Sequence, residues 1–451
     1  MRLKLLTDYK ALLRLGGPVL VTQLGIIVVS FADTMMVGAY GTEPLAAAAF
    51  VNSVFMVPLV MLMGFAAGMT PLIGALFGRS NMEEAGATFR RGIRLNAMLS
   101  ALFTLIMGVV YFFIPYMGQP SELLPIIRPY YLIVLATMVP LALFNCCQQT
   151  SNATTDTAMP MWIILGGNVL NIIGNWLLIF GHGPFPDMGL AGAGISTLTA
   201  RWAMCGAIFA AIRLRPRYAR LRAGARLGAG GNSARTIWTT SYPVMVQNGV
   251  ECALWSFGAV VCGWFGALQL AGYQVVNTIG QLGFMIYMSF GVAVAIRTAN
   301  FTGTGDREGV RRSAIAGLNI IVTLATLASA FFLTGASWLL GRFTDDPLVV
   351  ASGMPLIIPL VLYQYCDAIQ LTYSNALRGT SYVKPLLWVS LFSYILVGIP
   401  FLLLLAVGLD MRNVGVYYSF SLALLMAAVL LRFYFRRALA RVGAPESPLK
   451  V

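Results

Sequence analysis

Twelve long apolar segments run through the chain, separated by short polar connections. A membrane-spanning helix needs about 20 mostly apolar residues, and each segment is long enough to supply one. The predicted spans are residues 15–37, 45–71, 93–115, 125–150, 160–181, 190–212, 238–262, 270–296, 313–340, 350–375, 385–408 and 414–435. The sequence therefore predicts an all-α integral membrane protein with twelve transmembrane helices.

The composition leaves little room for anything besides these spans. Hydrophobic residues make up 58% of the chain and charged residues 10%, whereas a soluble domain carries about 25% charged residues. We therefore expect no large soluble domain. The first apolar segment follows Arg2, Lys4 and Lys10 and is not succeeded by a small-residue cleavage site. This pattern predicts a retained helix and not a secretory signal peptide.

The basic residues alternate along the chain and so orient it in the membrane. Most of the 30 Lys and Arg residues lie at the two termini and in the connections after the second, sixth, eighth and tenth spans, the last of which includes Arg378. The opposite side carries only Arg128, Arg342 and Arg412, and Arg201 lies inside a span. Basic loops face the cytoplasm, so both termini are predicted to lie there, in a bacterial inner membrane. The net charge of +14 is then explained by topology and anionic lipid, and no nucleic-acid partner is expected.

The residues that would support enzyme chemistry are scarce. None of the six cysteines forms a CxxC pair, and all lie in or near apolar segments, which favours buried free thiols. The only histidine, His182, lies in a loop rich in Gly and Pro. We therefore expect neither an enzyme nor a bound cofactor.

The sequence repeats itself with an offset of 225 residues. The segment Gly38–Ala46 resembles Gly263–Ala271. The same offset aligns Pro18 with Pro243, Asn52 with Asn277, Gly78 with Gly303 and Glu83 with Glu308. One offset held over so many spans is hard to obtain by chance.

This repeat predicts two lobes of six helices each. The predicted N-terminal lobe is residues 1–213, the cytoplasmic linker is 214–236 and the C-terminal lobe is 237–451. Because a repeat of six spans keeps its orientation in the membrane, we expect a pseudo-twofold axis along the membrane normal. Two such lobes with a cleft between them are typical of a transporter that works by alternating access.

Three of the sixteen carboxylates lie well inside predicted spans, namely Asp33, Glu251 and Asp367. A charged acid at the bilayer centre costs about 2.5 kcal/mol or more, so a role in handling ions or protons is favoured over a buried structural hydrogen bond. Glu251 and Asp367 both lie near the middle of spans in the second lobe. A shared cation site is therefore predicted, and two close carboxylates also favour retention of one proton.

The first lobe offers a second polar group. Asn168, Asn171 and Asn175 share one face of the fifth span, because they are spaced three and four residues apart. Asn175 and Asp33 lie at similar depth, which predicts a polar pocket. The alternative is interhelical hydrogen bonding by asparagine, which is common in membranes. The partner of Arg201, the one intramembrane base, cannot be assigned from the sequence.

With these features taken together, the sequence resembles the multidrug and toxic compound extrusion (MATE) transporters, in their NorM-like bacterial branch. The resemblance covers nearly the whole chain. It is carried by Pro18–Gln23, Phe31–Asp33 with Gly38, Leu45–Ala47, Asn168–Asn175, Pro243–Glu251, Leu270–Gln274, and Asp367 with Leu377–Gly379. Where many relatives have Ala-Ala-His-Gln in the eighth span, this chain has Ala271–Gln274 with a tyrosine in place of the histidine.

The resemblance implies export of drugs or metabolites in exchange for Na⁺ or H⁺, and we expect the substrates to be cationic or amphiphilic. It implies that Glu251 and Asp367 belong to the cation site, where Na⁺ would be the bound metal, and that Asp33 acts in the first lobe. Gln274 and the pair Asp345-Asp346 match positions that contact cationic drugs. Tyr363 is a further candidate for the cleft lining. We expect the protein to act as a monomer in the lipid bilayer.

Three other readings compete with this one. A flippase for lipids or lipid-linked precursors, from the same superfamily, should need a basic cleft for phosphate, whereas the candidates here are acidic apart from Arg201. A lipid-modifying membrane enzyme would need clustered His, Asp or Ser motifs near one interface, and the sequence has none. A channel is disfavoured by the twofold repeat and by the lack of a carbonyl-filter loop.

Overall fold

The structure is a computed structural model that describes residues 2–228, 230–344 and 346–443, with side chains from residue 6 onward. Its α-helices are α1 (Arg2–Tyr40), α2 (Thr42–Ala67), α3 (Met69–Gly78), α4 (Met82–Phe113), α5 (Leu124–Ala136), α6 (Met138–Ala153), α7 (Ala158–Ile179), α8 (Gly189–Leu214), α9 (Ala219–Leu227), α10 (Ala234–Trp264), α11 (Ala267–Thr304), α12 (Arg307–Phe343), α13 (Pro347–Gly353), α14 (Ile357–Gly379), α15 (Lys384–Ser390), α16 (Ile399–Leu403) and α17 (Arg412–Arg441). Twelve helical stretches within these described ranges are long and apolar enough to cross a membrane. The predicted all-α fold with twelve spans is confirmed.

Several spans are not single α-helices, and in two of them the break lies where proline removes a helical hydrogen bond. The second span is divided between α2 and α3, and the fourth between α5 and α6. Pro71 and Pro140 each lie four residues after the last residue of the preceding helix, Ala67 and Ala136. Because proline has no N–H to donate to the carbonyl four residues earlier, the helix is weakened at that point. At the second break, the Thr137 hydroxyl donates to the carbonyl oxygen of Val134, at 2.6 Å.

The repeat predicted from the sequence is visible in how the helices begin. Helices α4 and α12 start 225 residues apart, and both are capped by an acidic or amide side chain in the residue before the first turn. Asn81 accepts a hydrogen bond from the Glu84 N–H, and Asp306 accepts one from the Gly309 N–H. Such caps satisfy N–H groups that the first helical turn leaves unpaired. The two halves therefore use the same local signals at matching positions.

The described residues form two compact units whose bounds differ from the predicted lobes. One unit combines Met1–Leu20 with Val246–Val451, in their described parts, and the other is Val21–Met245. The division falls inside α1 and inside α10, so each of these helices contributes to both units. The linker predicted at residues 214–236 belongs entirely to the unit Val21–Met245.

This linker contains a helix that packs closely on the start of α4. A Cβ atom added at Gly224 in α9 would lie 1.8 Å from the backbone oxygen of Glu83. One added at Gly86 in α4 would lie 2.0 Å from the backbone oxygen of Leu221. Only glycine permits backbones to approach this closely. These close backbone contacts hold α9 against α4, within the unit Val21–Met245.

A buried hydrogen-bond network ties the linker to the turn between α6 and α7. The Tyr218 hydroxyl donates to Asp156 Oδ2 at 2.9 Å and contacts the Ser151 hydroxyl at 2.8 Å. Tyr218 is fully buried, and Arg215 lies 3.8 Å from the same carboxylate. Burial, aided by the Asp156 carboxylate, raises the pKa of Tyr218 from its ordinary value of 10.0 to about 12.

We expect Tyr218→Phe to destabilise the protein by about 1–3 kcal/mol, because it leaves the buried Asp156 carboxylate without its hydroxyl donor. The raised pKa of Tyr218 also determines the direction in which its contribution to stability changes with pH. The contribution of the tyrosine is complete below pH 10 and is lost as the pH rises towards about 12. Thermal unfolding in detergent should therefore show a gap between wild type and Tyr218→Phe that is constant up to pH 10 and narrows above it. A gap that widens over this range would contradict the assignment.

Candidate functional site

The three acids inside the spans lie on different helices. Asp33 is on α1, in the unit Val21–Met245, whereas Glu251 on α10 and Asp367 on α14 belong to the other unit. The prediction that Glu251 and Asp367 share one unit agrees with this placement. Each unit therefore has its own acidic cluster.

The Asp33 cluster consists of Asp33, Tyr130, Thr137, Asn175 and Arg201. The Asn175 amide nitrogen donates to Asp33 Oδ1 at 2.5 Å, and Asn175 is fully buried. The structure thus brings together the two residues that were predicted to share a pocket. Tyr130 and Arg201 also lie within electrostatic reach of Asp33.

Arg201 now has identified neighbours. Its Nη1 donates to the Thr137 hydroxyl at 2.5 Å, at the break between α5 and α6. Asp33 and Arg201 act on each other electrostatically without forming a salt bridge among the described residues. Sequence reasoning missed Tyr130 and Thr137. The sequence signal was Pro140, which predicts a helix break close to Thr137. At this break the Thr137 hydroxyl accepts the hydrogen bond from Arg201.

The other two asparagines on α7 differ in their surroundings. Asn171 is buried and its amide nitrogen donates to the Thr197 hydroxyl at 3.2 Å, while the Ser196 hydroxyl donates to the Asn171 backbone oxygen at 2.8 Å. These contacts join α7 to α8, which is the interhelical role left open by the sequence. Asn168 is half-buried, and its amide nitrogen has no hydrogen-bond partner among the described residues.

Asn175→Leu is expected to lower the transport rate about tenfold or more. The change removes a hydrogen bond to a charged group, which contributes about 1.5–3 kcal/mol, and leaves Asp33 free to reorient. Val169→Ala, on an exposed position of the same helix, is the matched control and should transport like wild type. Rates in proteoliposomes with equal protein content measure the difference. Equal rates for Asn175→Leu and Val169→Ala would remove Asn175 from the site.

The Asp367 cluster consists of Glu251, Tyr287, Tyr363, Asp367 and Tyr394. Asp367 is 1% exposed, and neither of its carboxylate oxygens has a hydrogen-bond partner among the described residues. Glu251, which is partly exposed, lies within electrostatic reach of Asp367, as do the hydroxyls of the three tyrosines. The Tyr287 hydroxyl is likewise buried and unpaired in the described part of the chain.

Aromatic and amide side chains hold this cluster in place. The Tyr363 ring packs edge-on against Trp255, with ring centroids 5.0 Å apart, and so links α14 to α10. The Gln370 amide nitrogen donates to the Tyr394 hydroxyl at 3.0 Å. Tyr363 was predicted from the sequence as a site residue, whereas Tyr287, Tyr394 and Gln370 were missed.

Arg378 requires a correction. The sequence placed it in a basic cytoplasmic connection, but it lies in the last turn of α14, is 6% exposed and is within electrostatic reach of Glu251. Its Nε has no hydrogen-bond partner among the described residues. The sequence contained a signal for this placement, because Arg378 follows Asp367 by eleven residues. Eleven residues make about three helical turns, so the two side chains share one helix face.

The positions proposed for drug contact are more exposed. Gln274 on α11 has an exposed side chain. Asp346 is also exposed, and its carboxylate caps α13 by accepting a hydrogen bond from the Leu348 N–H at 2.8 Å. This cap is a structural role that the sequence reading did not consider. Asp345 lies outside the described residues.

A family model decides the identity of the fold. The model described as MatE matches residues 18–177 and 243–404, which are the two halves of the repeat. The chain belongs to the MatE family. It is a NorM-like MATE transporter and not an enzyme, and it is a multi-pass membrane protein. The two matched segments contain all three intramembrane acids.

Curated relatives extend over the whole family fold. A probable multidrug resistance protein NorM from Xanthomonas axonopodis pv. citri is 26% identical over 96% of this chain and 95% of its own length. A protein of the same name from Deinococcus radiodurans is 26% identical over 97% of each chain. Nearly the whole length of these relatives is therefore matched by this chain.

Solved structures share the architecture. A eukaryotic MATE transporter has a TM-score of 0.87 and 20% identity, over 97% of this chain and 99% of its own. A transporter of the MOP superfamily from Pyrococcus furiosus has a TM-score of 0.88 and 18% identity, over 97% of both chains. At these identities the likeness establishes the MATE fold alone.

Proposed function

We propose that this protein is a secondary antiporter that exports organic, cationic or amphiphilic drugs or metabolites in exchange for Na⁺ or H⁺ by alternating access. The observation that carries the proposal is Asp367, a buried carboxylate with neither oxygen hydrogen-bonded among the described residues. An isolated buried charge is expensive and is normally paired or neutralised. A cation that arrives and leaves during transport supplies that neutralisation.

The chemistry of the Asp367 cluster suits either ion. A proton would bind to a carboxylate directly, and Glu251 and Asp367 can share it. Na⁺ would take oxygen ligands from both carboxylates and from the hydroxyls of neighbouring tyrosines. In the described part of the chain no three His, Cys, Asp or Glu side chains form a metal site. A sodium site would therefore depend on tyrosine hydroxyls or backbone oxygens as well as the two acids.

The driving force is sufficient for useful export. One positive charge moving inward gains about 2.3 kcal/mol per 100 mV. At about 1.4 kcal/mol per tenfold, this supports a roughly 50-fold gradient of a neutral substrate. A monovalent cationic substrate exchanged one for one would gain nothing from the potential, so it would need the chemical ion gradient or a second coupling ion.

The substrate class is inferred from the relatives and from the acids. The curated relatives carry the name multidrug resistance protein, and each cluster contains at least one carboxylate. We propose that the protein works as a monomer in the cytoplasmic membrane, with both termini inside. Gln274, Asp345 and Asp346 remain proposed contacts for cationic drugs.

Efflux of ethidium from energised cells tests the function. Cells that contain the protein should extrude the dye under an imposed Na⁺ or H⁺ gradient, and the effective gradient identifies the coupling ion. Cells with matched expression of an unrelated membrane protein serve as the control. Retention of every cationic dye under both gradients would contradict the proposal.

A lipid or lipid-linked precursor flippase is the second candidate. It is favoured by one observation, namely that an arginine lies within electrostatic reach of each acidic cluster, Arg201 near Asp33 and Arg378 near Glu251. An anionic headgroup would need such bases. Movement of a fluorescent phospholipid between leaflets of proteoliposomes, with no efflux of ethidium, would support this candidate over drug export.

A further inference from the structure

The connection between α8 and α10 borders an open cavity on the side of α4, at the face of the basic loops. Its volume is about 760 Å³. Arg91 and Arg94 line it, together with the apolar side chains of Leu95 and Met98 and the residues around Ser233. We call it the linker cavity. It lies within the unit Val21–Met245, and none of its lining residues belongs to either acidic cluster.

The wall of the linker cavity is fixed by hydrogen bonds. Arg91 Nη1 donates to the backbone oxygens of Gly230 and Asn232, each at 2.8 Å, and Nη2 donates to that of Gly228 at 3.1 Å. The Asn232 N–H donates to the Thr88 hydroxyl at 2.9 Å. The cavity is thus a built feature of this unit.

The charge of the linker cavity is not neutralised from within. Arg94 is exposed, and among the described residues no salt bridge involves Arg91 or Arg94. Glu84 lies beside Gly230, where its Cγ would be 3.1 Å from an added Cβ, but it pairs with neither arginine in the described chain. An anion from outside the protein would find the exposed Arg94 guanidinium at its rim, together with the N–H groups of Arg91 that donate to no backbone oxygen.

An apolar strip continues from the cavity along α4. Met98, Leu102 and Leu105 are 67%, 51% and 67% exposed. They follow Arg94 by four, eight and eleven residues and so share its helix face. A ligand held at Arg94 can therefore extend an apolar chain along the surface that faces the bilayer.

The repeat shows what fills the equivalent place in the other unit. At the offset of 225 residues, Arg94 corresponds to Asn319, and Ser233 corresponds to Asp8. In that unit the Asn319 amide donates to the Tyr9 hydroxyl at 2.7 Å, and Asp8 forms salt bridges with two arginines. An internal carboxylate thus neutralises the bases there, whereas Glu84, the acid beside the linker cavity, forms no salt bridge with Arg91 or Arg94 among the described residues.

We propose that the linker cavity binds the phosphate of an anionic phospholipid from the cytoplasmic leaflet. Arg94 and the free edge of Arg91 contact the phosphate, and one acyl chain lies along Met98, Leu102 and Leu105. Arginine suits this task because its planar guanidinium offers several donors to phosphate oxygens. Basic pockets on the cytoplasmic side of membrane proteins bind such headgroups. The bound lipid then joins the linker to α4.

Native mass spectrometry of the purified protein, titrated with phosphatidylglycerol or phosphatidylcholine, tests this site. Wild type should retain phosphatidylglycerol in preference to phosphatidylcholine. Arg94→Gln should weaken retention about fivefold, since one basic residue near a lipid headgroup contributes about 1 kcal/mol. Arg220→Gln removes an exposed arginine of α9 that does not line the cavity, and it should bind like wild type.

Ser233→Asp is the second variant, because it installs the acid that the other unit has at this repeat position. The Ser233 hydroxyl accepts a hydrogen bond from the Thr236 N–H at 3.1 Å, and aspartate caps helices equally well, so folding should be preserved. The variant should lose the preference for phosphatidylglycerol. Unchanged retention in both Arg94→Gln and Ser233→Asp would overturn the proposal, as would full displacement of the lipid by soluble glycerol phosphate, which would indicate a site for free phosphate.

Discussion

Asp367→Asn is expected to abolish gradient-driven efflux while leaving the protein folded. The substitution keeps the shape of the side chain but removes the charge that the coupling cation neutralises. Without one translocated charge, the gradient of a neutral substrate, roughly 50-fold at 100 mV, should collapse to about equal concentrations on the two sides. The measurement is the steady-state gradient of an uncharged dye in energised proteoliposomes.

Stability distinguishes this functional loss from a folding defect. The native carboxylate is buried without a hydrogen bond in the described chain, so the neutral amide should unfold at a temperature no lower than wild type. Asp410→Asn is the matched control. Asp410 is exposed, pairs only with its neighbour Arg412 among the described residues, and has a φ of 49°, which asparagine tolerates. Normal dye gradients in Asp367→Asn, or loss of them in Asp410→Asn, would contradict the role given to Asp367.

The second large effect is expected at Asp8, in the unit that combines Met1–Leu20 with Val246–Val451. Asp8 is 3% exposed and forms salt bridges with Arg297 of α11 and with Arg312 of α12, the latter at 3.1 Å. Both arginine side chains are 17% exposed. Asp8→Ala would leave two partly buried guanidinium groups without their shared anion. We expect a loss of about 3–5 kcal/mol in the free energy of unfolding.

Denaturant unfolding in one detergent measures this loss. Arg311→Ala is the control, since Arg311 pairs with Glu308 at 3.5 Å on an exposed helix face where both side chains are more than half exposed. Such surface pairs contribute about 0–1 kcal/mol. Asp8→Asn should fall between the two, because it keeps an acceptor oxygen but not the charge. If Asp8→Ala is no more destabilised than Arg311→Ala, the buried ion pairs do not anchor α1.

The sequence was sufficient for the spans and the repeat, because both depend on properties that run along the chain. Hydropathy over about 20 residues needs no knowledge of neighbours, and the offset of 225 residues returns in the starts of α4 and α12. The pairing of Asp33 with Asn175 was also accessible, because depth in a span follows from residue count. The sharing of α1 and α10 between two units was not predicted, although Pro18 and Pro243, which the repeat aligns, lie close to the two points of division.

The basic residues at span ends show why the rest was missed. Arg297 and Arg378 were counted with the loops, although both are at least partly buried and face carboxylates. A charge count gives the side of the membrane but not the direction of a side chain. Asp8 was a signal, as an acid within a basic N-terminal segment. The sequence contained no signal for Tyr287 and Tyr394, because aromatic residues are common in apolar spans. Only burial beside Asp367 distinguishes these two tyrosines.

Movement of the coupling ion itself tests the central claim most directly. Purified protein in sealed proteoliposomes is supplied with ethidium on one side, while radioactive Na⁺ and an internal pH dye report cation movement. Wild type should move Na⁺ or H⁺ opposite to the dye, and Asp367→Asn should move neither. Dye transport at the wild-type rate with no countermovement of either cation, or unchanged countermovement in Asp367→Asn, would contradict a cation antiporter coupled through the Asp367 cluster.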